Sequence, residues 1–253
     1  MRVTRCFVPP PLHSGHAVQL PAAAGAHLAR VLRARAGDAL TLFDGRGGEY
    51  QASILEVGRR GVRVQVGAHE RLERESPLAV TLLQSLTRAE RMDFIVQKAT
   101  ELGTAAIIAW PSRRSVVRLD ATGLARRREH WHGIAISACE QCGRNRLPAV
   151  HVALDLAAAC ALGADTTSAP ELRLMLQPQA VAPLPAMLRA DGSSGGSIRL
   201  LIGPEGGLEA DELDLALQLG FQACRLGPRV LRAETAPLAA LAAIQALAGD
   251  LRS

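Results

Sequence analysis

No run of about eighteen apolar residues occurs in this 253-residue chain, so no membrane span is expected. The N-terminus, Met1-Arg-Val-Thr-Arg-Cys-Phe-Val-Pro-Pro10, has no apolar h-region, and the expected compartment is the cytoplasm. A disulfide framework is also missing. Cys6, Cys139, Cys142, Cys160 and Cys224 are odd in number and scattered, as expected of reduced thiols. Cys139-Glu-Gln-Cys142 has the spacing of half a zinc site, but there is no second CxxC, and His130 and His132 lie too close upstream. No metal is expected there. Lysine is almost absent, Lys98 being the only one among 29 basic residues, so arginine richness alone says little about partners.

What is present is enough apolar material, 48% of the chain, for one large or two ordinary domains. The net charge of +5 is unevenly placed. Residues 1–74 carry 11 basic and 6 acidic groups, whereas the remainder is balanced. Within that balanced part, Arg113, Arg114, Arg118, Arg126, Arg127, Arg128, Arg144 and Arg146 face only Asp120, Glu129 and Glu140. One basic region in each half points to a polyanion as partner, against the bland alternative of solvated helix faces.

Residues 1–74 read as a small β-rich domain. Short apolar strands are expected at 5–8 and 39–43. Val62, Val64 and Val66 alternate with Arg63 and Gln65 as in a half-buried strand. Residues 58–61 make a hairpin turn after a strand at 49–57, and residues 44–48 make another turn. Residues 22–34 have helical spacing, with His27, Arg30 and Arg33 off the apolar face. A compact barrel carrying a basic helix is the expected result. The charged, proline-ended stretch 70–77 marks the domain boundary.

From residue 75 to 253 strands and helices alternate, which predicts a parallel sheet covered by helices. Strands are expected at 78–83, 105–110, 172–176, 198–202 and 223–226. The expected helices are 88–102, 125–142, 209–219 and one beginning near Thr235, taken as its N-cap, with Pro237 in the first turn. The glycine- and serine-rich 191–197 stretch reads as a connector.

Two loops carry the chemistry. Ile198-Arg-Leu-Leu-Ile-Gly-Pro-Glu-Gly-Gly207 is a buried strand emptying into a glycine-rich turn, and Leu226-Gly-Pro-Arg-Val-Leu-Arg232 is a second of the same kind. Open α/β sheets bind ligands at such carboxyl ends. The first loop has no lysine, serine or threonine to cradle a phosphate, and Glu205 at its centre would repel one, so a neutral or cationic ligand is expected. Gln177-Pro-Gln179 is a candidate third loop. The alternative is that these are ordinary connecting turns.

Leu200-Leu-Ile-Gly-Pro-Glu-Gly-Gly207, Leu226-Gly-Pro-Arg-Val-Leu-Arg-Ala-Glu-Thr-Ala236, Ala138-Cys-Glu-Gln-Cys-Gly-Arg-Asn-Arg146 and Gln97-Lys-Ala-Thr-Glu-Leu-Gly103 closely resemble the RsmE family of SPOUT-superfamily methyltransferases. The likeness extends to His27-Leu-Ala-Arg-Val-Leu-Arg33, hence to nearly the whole chain. It implies methylation of uridine N3 in small-subunit (16S) ribosomal RNA with S-adenosylmethionine. It further implies a homodimer, a PUA-like RNA-binding barrel at 1–74, and an α/β methyltransferase domain with a trefoil knot at 75–253. The cofactor would lie among Leu176, Gln177, Ile202, Gly203, Pro204, Glu205, Gly206, Gly207, Leu226, Gly227, Val230 and Leu231.

Methyl transfer to N3 needs alignment and a way to handle the N3 proton. Arg232 is the first candidate to stabilise the developing uracil anion, with Glu234 or Glu140 accepting the proton. Arg5, Arg30, Arg33, Arg113, Arg114, Arg144, Asn145 and Arg146 are the candidates for holding an unpaired RNA segment. Two rival functions are 2′-O-ribose methylation and a non-catalytic RNA-binding or ribosome-assembly module.

Overall fold

The computed structural model describes residues 4–115, 121–163, 171–190 and 196–252. Arg118, counted above in the basic segment, and most of the 191–197 connector lie outside them. The chain divides into two compact units. One is Met1–Glu75 with Cys139–Leu147, the other Ser76–Ala138 with Pro148–Ser253.

The first unit contains β1 (Thr4–Phe7), β2 (Ala17–Gln19), α1 (Ala22–Arg30), β3 (Ala39–Phe43), β4 (Glu49–Gly58) and β5 (Gly61–Glu70). They form one five-stranded sheet in the order β1-β3-β4-β5-β2, antiparallel except for β1 against β3. The valine alternation is realised in β5, where Val62, Val64 and Val66 are fully buried beside Leu28 of α1. Gly58 pairs with Gly61, so Arg59 and Arg60 form a two-residue hairpin turn. β2 is three residues long, too short to give a periodicity signal.

Cys139–Leu147, which the sequence reading leaves in the second domain, packs in this unit. Arg146 bridges Arg46, and the Leu147 amide donates to the Gly45 carbonyl at 3.3 Å. Arg144 forms an ion pair with Glu75 at 2.5 Å, and Arg74 donates to the Gly143 carbonyl at 2.9 Å.

α1 ends in a closed turn: the Ala34 amide donates to the Leu28 carbonyl at 3.0 Å, and Arg33 sits in the left-handed region at φ 51. Glycine normally fills that position, because a Cβ costs about 1 kcal/mol there. Arg33 is exposed, with no partner for its guanidinium among the described residues. Arg33→Gly is therefore expected to stabilise this unit by about 0.5–1 kcal/mol, read from thermal melts.

The second unit contains β6 (Ala79–Ser85), α2 (Ala89–Glu101), β7 (Ala106–Trp110), α3 (Ala121–Cys142) and β8 (Ala149–Val152), α3 running on into the first unit for its last residues. It continues with α4 (Leu156–Ala161), β9 (Glu171–Leu176), α5 (Leu184–Ala190), β10 (Ser197–Ile202), α6 (Ala210–Gln218), β11 (Gln222–Cys224) and α7 (Thr235–Ala248). All six strands are parallel, in the order β11-β9-β10-β6-β7-β8.

Helices cover both sheet faces, as such sheets require. Leu82, Leu174, Leu200 and Ile198 pack with Met92, Ile95, Leu241 and Ile244 on one side. Leu83, Ile108, Met175 and Leu201 pack with Leu156, Ala159 and Ala216 on the other. β10 lies between β9 and β6, which explains its apolar run at 200–202. Arg199 of the same strand is fully buried, and its guanidinium donates to the carbonyls of Ala159, Cys160 and Leu162 at the end of α4. α7 starts at Thr235 with Glu234 in the N-cap position and no side-chain cap, so Thr235 is the first helical residue and not the expected cap.

Candidate active site

The carboxyl ends of β9, β10 and β11 open onto one pocket of about 730 Å³, its mouth included. It is lined by Leu176, Gln177 and Pro178 after β9, by Ile202, Gly203, Pro204, Glu205, Gly207 and Leu208 after β10, and by Leu226, Gly227, Arg229, Val230 and Leu231 after β11. Ala233 and Ala236 complete it. The segments after β9 and β11 are tied by backbone: the Gln177 amide donates to the Cys224 carbonyl at 2.9 Å, and the Leu184 amide to the Arg225 carbonyl at 2.9 Å. Adjacent parallel strands thus bring distant residues to one edge.

The glycines matter at two points. The Gly207 amide closes a turn onto the Pro204 carbonyl at 2.9 Å with φ at 75, a conformation that disfavours any Cβ. A Cβ on Gly203 would lie 3.1 Å from Leu208 Cγ, so its absence lets the loop fold onto itself. Gly206 is the one expected ligand residue outside the lining. Its carbonyl instead accepts from Arg114 at 2.9 Å, and that guanidinium also grips Glu209 at 2.7 Å.

Arg232 lies between two lining residues, Leu231 and Ala233. Its carbonyl accepts from the Thr235 and Ala236 amides at 2.9 Å, while its exposed guanidinium has no partner among the described residues. Glu234, two residues on, has Oε2 buried without a hydrogen bond and 3.5 Å from Arg91 Nε. Arg91 also pairs with Glu205. Its link to both acids was invisible in the sequence, where Arg91 is only a polar neighbour of the apolar face of α2. Pro178 and Arg229 fall within the expected loops, whereas Leu208, Ala233 and Ala236 were missed, the first two directly beside expected residues.

Glu140 is not brought to this pocket within one unit; it belongs to the first, where its Oε1 accepts from the Phe7 amide at 2.9 Å. Burial raises its pKa above the usual 4.5, opposed by that hydrogen bond and by the charges of His27 and Arg5. The folded state therefore binds the Glu140 proton more tightly than the unfolded one. The stability this adds is fully present below pH 4.5 and is lost as pH rises through the raised value. Glu140→Gln keeps an oxygen for Phe7 and should flatten that slope in melts run from pH 4.5 upward. Retained methyl transfer in the same variant removes Glu140 as proton acceptor.

Three expected RNA ligands are corrected. The Arg5 side chain is 8% exposed, paired with Glu49 and hydrogen-bonded to Asn145 Oδ1 at 2.5 Å and the Arg144 carbonyl at 3.2 Å. Arg144 and Asn145 are buried as well, Asn145 donating to the Leu72 carbonyl at 2.5 Å. A buried, paired guanidinium has neither the access nor the free charge to hold phosphate. Arg30 is exposed and unpaired among the described residues. Arg113 and Arg146 are exposed, in pairs with Asp211 at 2.5 Å and Glu73 at 3.6 Å that solvent screens. No three His, Cys, Asp or Glu side chains gather as for a metal ion among the described residues, and no described helix is long and apolar enough to cross a membrane.

Residues 74–245 match the family of RNA methyltransferase domains, and residues 20–67 match the RNA methyltransferase PUA domain. The ribosomal RNA small subunit methyltransferase E of Buchnera aphidicola is 30% identical over 99% of this chain and 98% of its own length. That of Bacillus subtilis is 33% identical over 86% and 85%. A solved structure of the Neisseria gonorrhoeae enzyme of that name, bound to S-adenosyl methionine, is 37% identical, with a TM-score of 0.85, and covers 98% of this chain and 99% of that one. The pocket at the strand ends thus belongs to a known kind of enzyme, and this chain is a member of the RNA methyltransferase family that includes ribosomal RNA small subunit methyltransferase E.

Proposed function

We propose that the protein methylates N3 of a uridine in 16S ribosomal RNA, using S-adenosylmethionine held in the pocket at the ends of β9, β10 and β11. The observation that carries this reading is the flanking of Arg232, unpaired among the described residues, by two pocket-lining residues, with Glu234 two residues on. The pocket suits the cofactor. Leu176, Ile202, Leu226 and Leu231 give apolar walls for a purine, and the backbone at Gly207 is open to close approach. When bound, the cofactor supplies an activated methyl group on a sulfonium.

The remaining chemistry belongs to the chain. Leaving of the N3 proton puts negative charge on uracil O2 and O4, and the Arg232 guanidinium stabilises it. Glu234, whose carboxylate stands 3.5 Å from Arg91 Nε, is the first candidate to take the proton. Glu140 is kept as the second candidate for that step. Residues 1–74 serve as a PUA-like barrel presenting Arg30 and Arg33 to RNA, with Arg146 and Arg113 as further contacts and Arg114 joining them only if it lets go of Glu209. Residues 75–253 form the SPOUT-type domain, with a trefoil knot around the cofactor loops. The enzyme acts in the cytoplasm as a homodimer, as the family resemblance implies.

The test pairs calorimetry with S-adenosylmethionine and transfer of its labelled methyl group to small ribosomal subunits from a strain lacking this gene. Saturable binding and label in small-subunit RNA are expected. Binding without transfer to any ribosomal particle would overturn the substrate, and no binding would overturn the pocket assignment.

A further inference from the structure

We propose that Arg91, on α2, is a positioning residue that clasps the two sides of the pocket. Its guanidinium pairs with Glu205, in the loop after β10, and with Glu234, at 3.5 Å, in the turn before α7. Those two acids come from loops nearly thirty residues apart, each with a separate anchor of its own. The 203–207 loop is anchored by Arg114 at Gly206 and Glu209, and the 232–236 turn by its own amide bonds to the Arg232 carbonyl. Among the described residues, Arg91 is the only side chain with an ion pair to both.

Position follows from topology. α2 leaves β6, whose last residues pair with the end of β10 (Ile202 opposite Gln84), so the first turns of the helix stand over the strand ends that open into the pocket. Met92, Ile95, Val96 and Ala99 are fully buried against the sheet and fix the helix, leaving Arg91 26% exposed at its edge. The clasp sets the distance between the loop expected to meet the cofactor and the turn that carries Arg232 and Glu234. Arg91 does not line the pocket, so it acts through Glu205 and Glu234 and not by touching ligand.

This inference rests on the assignment of the pocket to S-adenosylmethionine. Because misplacing reacting groups by about 1 Å costs on the order of 100-fold in rate, Arg91→Met is expected to lower kcat by about that factor. Cofactor affinity should fall much less than the rate, within about threefold, since the pocket walls at 176–178 and 226–231 do not depend on Arg91. Amide hydrogen exchange in the ligand-free protein should speed up in residues 203–207 and 232–236 together. Arg91→Lys, which keeps the charge, should restore most of the rate and of the exchange protection.

Turnover by Arg91→Met within about threefold of the wild type, with exchange unchanged in both loops, overturns the clasp. So does a loss of thermal stability and cofactor affinity together that lysine fails to restore, which would make Arg91 a general structural residue. The exchange measurement needs no cofactor and no RNA. If the wild type fails to bind S-adenosylmethionine, the proposed function falls, while coupled or uncoupled exchange in the two loops still decides whether Arg91 ties them.

Discussion

Arg232→Ala should lower kcat by about 100- to 1,000-fold, the loss typical of removing one donor to a developing anion, while leaving S-adenosylmethionine affinity within about threefold. The asymmetry follows from where the residue stands. Its neighbours Leu231 and Ala233 line the pocket and its carbonyl holds the start of α7, but its guanidinium points into solvent with no partner among the described residues. The backbone role survives alanine, so the fold and the cofactor walls should survive with it. What is lost is a charge needed only when N3 gives up its proton. Single-turnover methyl transfer and calorimetry on the same preparation separate the two effects. Equal losses in rate and cofactor affinity would move Arg232 to a binding role.

The other large effect is on stability. Arg199 is fully buried in the central strand β10, and its guanidinium holds three carbonyls at the end of α4, with Glu171 at 4.0 Å. Burial pushes the Arg199 pKa down, opposed by Glu171. Arg199→Met fills much of the same volume but leaves those carbonyls without a donor inside the fold. A loss of about 3 kcal/mol is expected, read from the urea midpoint at constant slope. Glu171 keeps Arg173 at 2.8 Å and is not itself stranded. A loss below about 1 kcal/mol would mean that water reaches the α4 carbonyls and replaces the arginine.

Much of the site was legible because it is built from consecutive residues. A strand that must be buried on both faces shows as an apolar run, and the turn that follows it needs glycine and proline, so β10 and its loop could be read directly, while β11, a three-residue edge strand, was placed by the Gly-Pro loop after it. What was not legible depends on tertiary pairing. Arg5, Arg144 and Asn145 look in sequence like the exposed Arg30 and Arg33, since charge along a chain does not say which guanidinium finds a buried carboxylate. Arg91 and Glu205 are more than a hundred residues apart, and only the parallel sheet brings them together. β8 and α4 were missed for a simpler reason. A four-residue edge strand and a six-residue alanine-rich helix are too short for a periodic pattern. The α3 segment from Cys139 onward changes units without breaking the helix, so no sequence signal marks the change.

The most direct test of the account is nucleoside analysis of 16S ribosomal RNA after wild-type protein and S-adenosylmethionine act on small subunits from a strain lacking this gene. The account predicts 3-methyluridine as the methylated product, absent with Arg232→Ala over the same time. A 2′-O-methylated nucleoside in its place would contradict it, leaving the fold and pocket standing but assigning Arg232 and Glu234 to a different reaction.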